Sequence, residues 1–236
     1  MIVGRIGRTG FAAGLLGLSA LLAGSHAAAG EVGFTAGGAR YQVAIASFQE
    51  LRFRGVVRQT RDFSCGSAAV ATLLSHHYRD QRSEEAVFTA MFEAGDQQKI
   101  RAKGFSLLDM KRYLEREGYA ADGFRLTLDQ LVELGVPAIA LVETQGYSHF
   151  VVVKAVDDRR VLLADPAIGN HAMPRRRFEA SWNGIFFIVR DRAQIARQHF
   201  NEAGAWAGQP DSPLAQAVSR STLSQFALDL PVRRDY

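Results

Sequence analysis

The chain has 236 residues, enough for one domain with a buried core plus appendages, and its composition is ordinary for a globular protein. Its formal charge is +4, and no basic run is interleaved with aromatic residues, which argues against a nucleic-acid partner. Without Arg5 and Arg8, which sit in a leader-like segment, the 28 Lys+Arg fall to 26 against 24 Asp+Glu, close to neutral.

That N-terminal segment reads as an export signal. Arg5 and Arg8 form a positive region, "FAAGLLGLSALLAG" (11–24) is an uncharged and mostly apolar run, and "SHAAAGE" offers small residues for cleavage after Ala27 or Ala29. The apolar run is shorter than the roughly 20 residues a bilayer core needs, and no cysteine follows it to carry a lipid. The expectation is a signal peptide over 1–29, a periplasmic mature protein, and no stable membrane span after cleavage.

Export changes what Cys65, the only cysteine of the chain, can mean. Exported chains commonly use cysteines in pairs as disulfides, and one cysteine cannot pair within its own chain. It is a core thiol, an intermolecular link or a working nucleophile. The histidines show no ligand spacing around it, so the sequence gives no reason for a zinc site, and it calls for no metal or cofactor.

In chain order, residues 31–57 carry the short apolar runs "YQVAIASF" and "FRGVV", read as a leading strand region. From Gly66 to about Tyr78, Ala69, Val70, Leu73 and Leu74 recur at helical spacing, with Ser64 a candidate cap. Ser83 caps a second helix through "EEAVFTAMFEAG". "SLLDMKRYLEREG" is a third, with a Ser106/Asp109 capping box and Gly118 as its stop, and "TLDQLVELG" repeats the logic with Thr127, Gln130 and Gly135. From Pro137 the period changes. "PAIALVE", "SHFVVVKAV" and "RVLLAD" read as strands, "DDRR" (157–160) as the turn between the last two, and "WNGIFFIVR" as a closing strand. "RAQIARQHFNEAG" then reads as an amphipathic helix. Helices first and hairpin-linked strands second predict an α+β domain with its N-terminal helices packed on an antiparallel sheet.

Cys65 stands at the first turn of its helix, where unpaired N–H groups and the macrodipole stabilise an anion, and the thiolate is the nucleophilic form. Gly66 beside it would let another chain approach the sulfur. A nucleophilic cysteine needs a base and a group to orient that base. His76 and His77 lie three turns along the same helix, too far to reach the sulfur, and read as surface residues. His171 falls in a Gly/Asn loop and His199 in the tail. His149 instead opens a strand, and Asp165 ends the next one before Pro166. If Asp157–Arg160 is a hairpin turn, a small stagger or bulge makes His149 and Asp165 neighbours at one sheet end. Asp165 would then orient His149. The alternatives at this point are a core thiol, a strand-edge histidine and a turn-forming Asp-Pro.

"QTRDFSCG", "GFSLLDMKRYLEREGY", "GVPAIALVE", "SHFVVV", "LLADPAIG" and "WNGI" follow one another in the order seen in the bacteriocin-processing, double-glycine-leader peptidases, and the chain resembles that papain-like family over about 55–190. The resemblance implies a papain-like cysteine peptidase fold, with Cys65 as nucleophile, His149 as base, Asp165 as orienting acid and Gln59 as oxyanion-hole donor. Family members are commonly the cytosolic N-terminal domain of an ABC transporter. With its export signal this chain is more similar to the free-standing exported branch, which includes the peptidase of the functional-amyloid (Fap) secretion system. The implied partner is a polypeptide substrate, an amyloid-system or double-glycine secreted protein, cut after Gly-Gly.

The expected organisation is a signal peptide (1–29), an N-terminal extension (30–54), the peptidase domain (55–190) and a C-terminal extension (191–236). The competing readings are a non-catalytic peptide-binding chaperone that keeps the groove, and a papain-like acyltransferase using the same three side chains.

Overall fold

The computed structural model describes residues 30–36, 39–45, 47–144 and 146–206. The proposed signal peptide (1–29) and the end of the C-terminal extension lie outside the described residues. Strands β1 (Gly30–Ala36) and β2 (Ala39–Ile45) form an antiparallel hairpin with register Gly30↔Ile45 to Ala36↔Ala39. This hairpin belongs to one compact unit that ends at Ala46, and a second unit begins at Ser47.

The second unit opens with the short helix α1 (Phe48–Arg52), closed by a Ser47/Glu50 capping box. The "FRGVV" run that reads as strand in the sequence is a turn and extended loop, since Gly55 takes φ 68° and no strand partner lies beside it among the described residues. Helix α2 (Cys65–His77) follows. Its sequence suggests one apolar stripe, but every residue from Cys65 to Ser75 is buried, along with His77. A helix of small and apolar residues on all sides suits a fully buried position. Helices α3 (Glu84–Ala94) and α5 (Leu107–Arg116) pack against it. The caps behave as their residues dictate: Ser83 accepts from Ala86 N–H, and Ser106 and Asp109 form a reciprocal box. Between them, 97–103 is helix α4 (Gln97–Lys103), capped by Asp96.

The sheet has six strands in the order β3-β8-β4-β5-β6-β7, with every neighbouring pair antiparallel. Strands β4 (Ala138–Thr144), β5 (Tyr147–Val156) and β6 (Arg160–Asp165) are the three apolar runs of the sequence, and Asp157–Arg160 makes the turn. Helix α6 (Leu128–Leu134), with its Thr127/Gln130 box and left-handed Gly135, leads into β4. Strand β8 (Trp182–Val189) does not close the sheet. It runs between β4 and the short β3 (Ala121–Phe124), an interior place set by long-range pairing.

Strand β7 (Gly169–Pro174) forms one edge, so His171 stands on a strand and not in a loop. Helix α7 (Arg175–Ser181) covers the sheet through Phe178, which stacks on Trp182 and Phe186. Strand β5 is buried on both faces over His149–Val153, which explains its unbroken apolar run. Helix α8 (Ala193–Arg197) is shorter than its pattern suggests; Ala196 within it and Phe200 after it are buried. No helix of the described residues is long and apolar enough to cross a membrane. The architecture is the expected α+β arrangement of helices on an antiparallel sheet.

Candidate active site

Cys65 is the first residue of α2, and the helical ladder begins with Ala68 N–H donating to Ser64 O at 3.1 Å. The N–H groups of Cys65, Gly66 and Ser67 precede that ladder. Ser64 does not cap them with its side chain. Its hydroxyl turns back to the Arg61 N–H and carbonyl, at 3.1 and 3.0 Å. The helix end is therefore left open toward an anion beside the sulfur. Gly66 serves packing more than access: a Cβ there would sit 2.9 Å from Phe105 Cβ.

His149 and Asp165 meet because of one irregularity in the sheet. Near the turn, Val156 faces Val161 and Ala155 faces Leu162; beyond Lys154 the register becomes Val153↔Leu163 and Val152↔Ala164. Lys154 is the extra residue of a β-bulge. Continuing the shifted register sets Asp165 opposite Val151, on the face that His149 shares. Without the bulge Asp165 would oppose Val152 and point to the other face. The two side chains touch: His149 Nε2 lies 2.8 Å from Asp165 Oδ1, and both residues are buried.

The same Oδ1 accepts the N–H groups of Ala167 and Ile168 at 2.7 and 3.2 Å, so Asp165 forms its turn and holds the histidine at once. Burial alone would raise the Asp165 carboxyl, but the hydrogen bond and charge of His149, with the Ala167 N–H, leave it lowered. Burial likewise pulls His149 down, yet the hydrogen bond and charge of Asp165, together with Cys65, push it up to about 9. With Nε2 engaged by Asp165, Nδ1 is left buried without a hydrogen-bond partner of good geometry. The Cys65 sulfur is the group that acts on the ring from elsewhere in the fold. A buried imidazole with one nitrogen held by a carboxylate and the other unengaged, in a site where a thiol raises its basicity, is equipped to exchange a proton with sulfur.

Gln59 is docked onto the same turn, its N–H donating to Pro166 O at 3.0 Å. Its side-chain Nε2 donates to Arg61 O at 3.2 Å, which leaves the second amide proton free, while Oε1 is buried without a partner. The structure thus brings Gln59, His149 and Asp165 to one sheet end, with Cys65 acting on His149. His77 lies apart and is buried, contrary to the surface position its sequence suggests. His171 borders the site as part of a cavity of about 380 Å³, lined also by Tyr147, His149, Asp165, Ile168 and Arg177.

Two further side chains escape a sequence reading. Glu84, buried at the start of α3, accepts Thr60 Oγ1 at 2.7 Å and Ser67 Oγ at 3.2 Å, tying the Gln59 loop to the Cys65 helix. In sequence it is one more acidic residue in a helical first turn. Tyr147 stacks on His149, with ring centroids 6.0 Å apart, and its hydroxyl donates to Asp62 O at 2.9 Å. It bridges the sheet to the loop before Cys65, and its only sequence signal is an aromatic two residues before a strand histidine.

Residues 54–194 match the Peptidase C39 family. The chain is 43% identical over 163 residues to a protein of Pseudomonas fluorescens named "Probable functional amyloid protease FapD", covering 68% of this chain and 72% of that one. Its Pseudomonas aeruginosa counterpart of the same name is 42% identical over the same shares. Among solved structures, the peptidase domain of Streptococcus ComA, a bi-functional ABC transporter of a quorum-sensing pathway, overlays with a TM-score of 0.49 and 19% identity, over 57% of this chain and 96% of that one. A family match over more than half of the chain, joined by two relatives above 40% identity, places it: the chain belongs to the Peptidase C39 family and is a cysteine peptidase.

Proposed function

We propose that Cys65, His149 and Asp165 form the catalytic triad of this peptidase, that Gln59 is an oxyanion donor, and that the protein acts in the periplasm on a secreted polypeptide. The observation that carries this reading is the His149–Asp165 contact at 2.8 Å, with Nδ1 left for the thiol at the open end of α2. The Cys65 thiolate attacks the scissile carbonyl carbon, and the new oxyanion is held by the Cys65 N–H and the free amide proton of Gln59. As the C–N bond breaks, protonated His149 gives its Nδ1 proton to the leaving amine, and a thioester remains on Cys65. Water then attacks the thioester while His149 takes its proton, and the acid product leaves as the thiolate reforms.

The substrate reading is cleavage after Gly-Gly in a component of an amyloid secretion system. The names of the two Pseudomonas relatives support the amyloid part. The Gly-Gly part rests on the resemblance of "QTRDFSCG" and the motifs that follow it to the double-glycine-leader peptidases. Export rests on the Arg5/Arg8 and 11–24 pattern. The test is to incubate the purified protein with a synthetic peptide holding one Gly-Gly site and with the same peptide carrying Leu in place of the second Gly, and to map products by mass. A single cut after Gly-Gly that Leu abolishes is expected. Scattered cuts, or equal cutting of both peptides, would overturn the substrate reading.

A further inference from the structure

Asn201 lies outside the family-matched segment 54–194, yet it is built into the strand that carries His149. The β4 register starts at Ala138 opposite Val153, so β5 beyond Val153 has no β4 partner. Asn201 takes that vacant edge. Its N–H donates to Lys154 O at 3.1 Å, and its Oδ1 accepts Val156 N–H at 2.7 Å. One residue thus pairs backbone groups on both sides of Ala155, at the bulge. To do so it adopts φ 53°, a left-handed conformation that asparagine tolerates better than most residues. The chain that delivers it is fixed by buried Ala196 and Phe200 before it and by Trp206 after it, whose ring lies 4.6 Å from the Arg160 guanidinium.

We propose that Asn201 is a positioning residue for the reaction: by pinning the Lys154 bulge from its outer edge, it keeps Asp165 on the face of His149. This rests on the triad reading above. The bulge is the single feature that decides to which face Asp165 points, and a bulge carries fewer ladder bonds than regular pairing. Bonds supplied from outside the ladder therefore select the bulged register over the regular one. Loosening it would weaken the His149–Asp165 contact and, through His149, the support for the Cys65 thiolate at neutral pH.

The test reads alkylation of Cys65 by iodoacetamide at pH 7 and at pH 10 in the full chain, with folding followed by circular dichroism. At pH 10 the rate reports access to the sulfur; at pH 7 it also reports the help that His149 gives under the triad reading. Asn201→Gly keeps the left-handed backbone and removes Oδ1, and the pH 7 to pH 10 rate ratio should fall about tenfold. Asn201→Asp, which retains the acceptor, should restore the ratio to within about twofold of wild type. A folded Asn201→Gly protein with the wild-type ratio and only a lowered Tm would overturn the proposal. So would failure of both Asn201→Gly and Asn201→Ser to fold, because Asn201 would then hold the fold and not the dyad. His149→Ala is the control for the triad itself: if it leaves the ratio unchanged, the triad reading fails, whatever Asn201 does.

Discussion

At neutral pH the His149 ring is protonated, because Asp165 and Cys65 outweigh burial and hold it up to about 9. A group raised above its ordinary 6.5 stabilises the fold fully below 6.5, and that contribution is lost as pH rises toward 9. Asp165 is lowered, so its contribution is present above the ordinary carboxyl range and is lost as pH falls through its lower folded value. In the proposed mechanism the protonated ring is the donor to the leaving amine, so peptide hydrolysis should decline on an alkaline limb near pH 9. Replacing Asp165 with Asn removes the charge, and the limb in a kcat/KM profile should move down by about one unit or more. A limb unmoved in Asp165→Asn would mean that Asp165 serves only its turn. Cys65, His149 and Asp165 are legible in the sequence because each stands at or near an element end beside an apolar run. Gln59 is legible only through family resemblance, and Glu84 and Asn201 not at all, because their roles come from partners 17 to 47 residues away.

The two ends of α2 show how an element imposes different demands along its length. At the start, Gly66 admits the Phe105 side chain at a distance where a Cβ would clash. Gly66→Ala gains about 1 kcal/mol of helix propensity, but the clash is with a Cβ that cannot swing away, an overpacking of about 1–3 kcal/mol. A lower Tm and slower Cys65 alkylation are expected; a higher Tm would show that Phe105 yields freely. At the other end, His77 is buried near Lys154, His76 and His199 with no good partner for either ring nitrogen, and burial drives it down to about 3. The fold keeps it neutral, so stability is full above pH 6.5 and declines as pH falls from there toward 3. His77→Leu should flatten this decline by on the order of a few kcal/mol at pH 4, as read by urea unfolding. An unchanged acid profile would exclude His77 as its source. The helix itself is legible from its spacing, but a period of apolar residues does not say that the remaining small residues are buried too.

For the whole molecule, the sequence shows the class of fold and most of its strands, and misses what non-local pairing decides. Placing β8 inside the sheet, adding the edge strand β7 and covering the face with α7 all depend on contacts between distant segments. The short strands β3 and β7 carry no alternation strong enough to announce themselves. These unannounced parts nevertheless frame the site: β7 and the start of α7 line the cavity beside His149, and the strand turn at Pro166 receives Gln59. Residues beyond the family-matched segment likewise brace β5 through Asn201.

The central claim is that His149, oriented by Asp165, keeps Cys65 reactive. It is tested most directly by the rate at which iodoacetamide alkylates Cys65 between pH 5 and pH 10 in wild type and in His149→Ala. The account predicts rapid alkylation of the wild type at pH 6–7 and, in His149→Ala, a rate at that pH lower by about tenfold or more, recovering only as the pH passes the ordinary thiol range near 8.5. Identical profiles for the two proteins, both following an ordinary thiol, would contradict it.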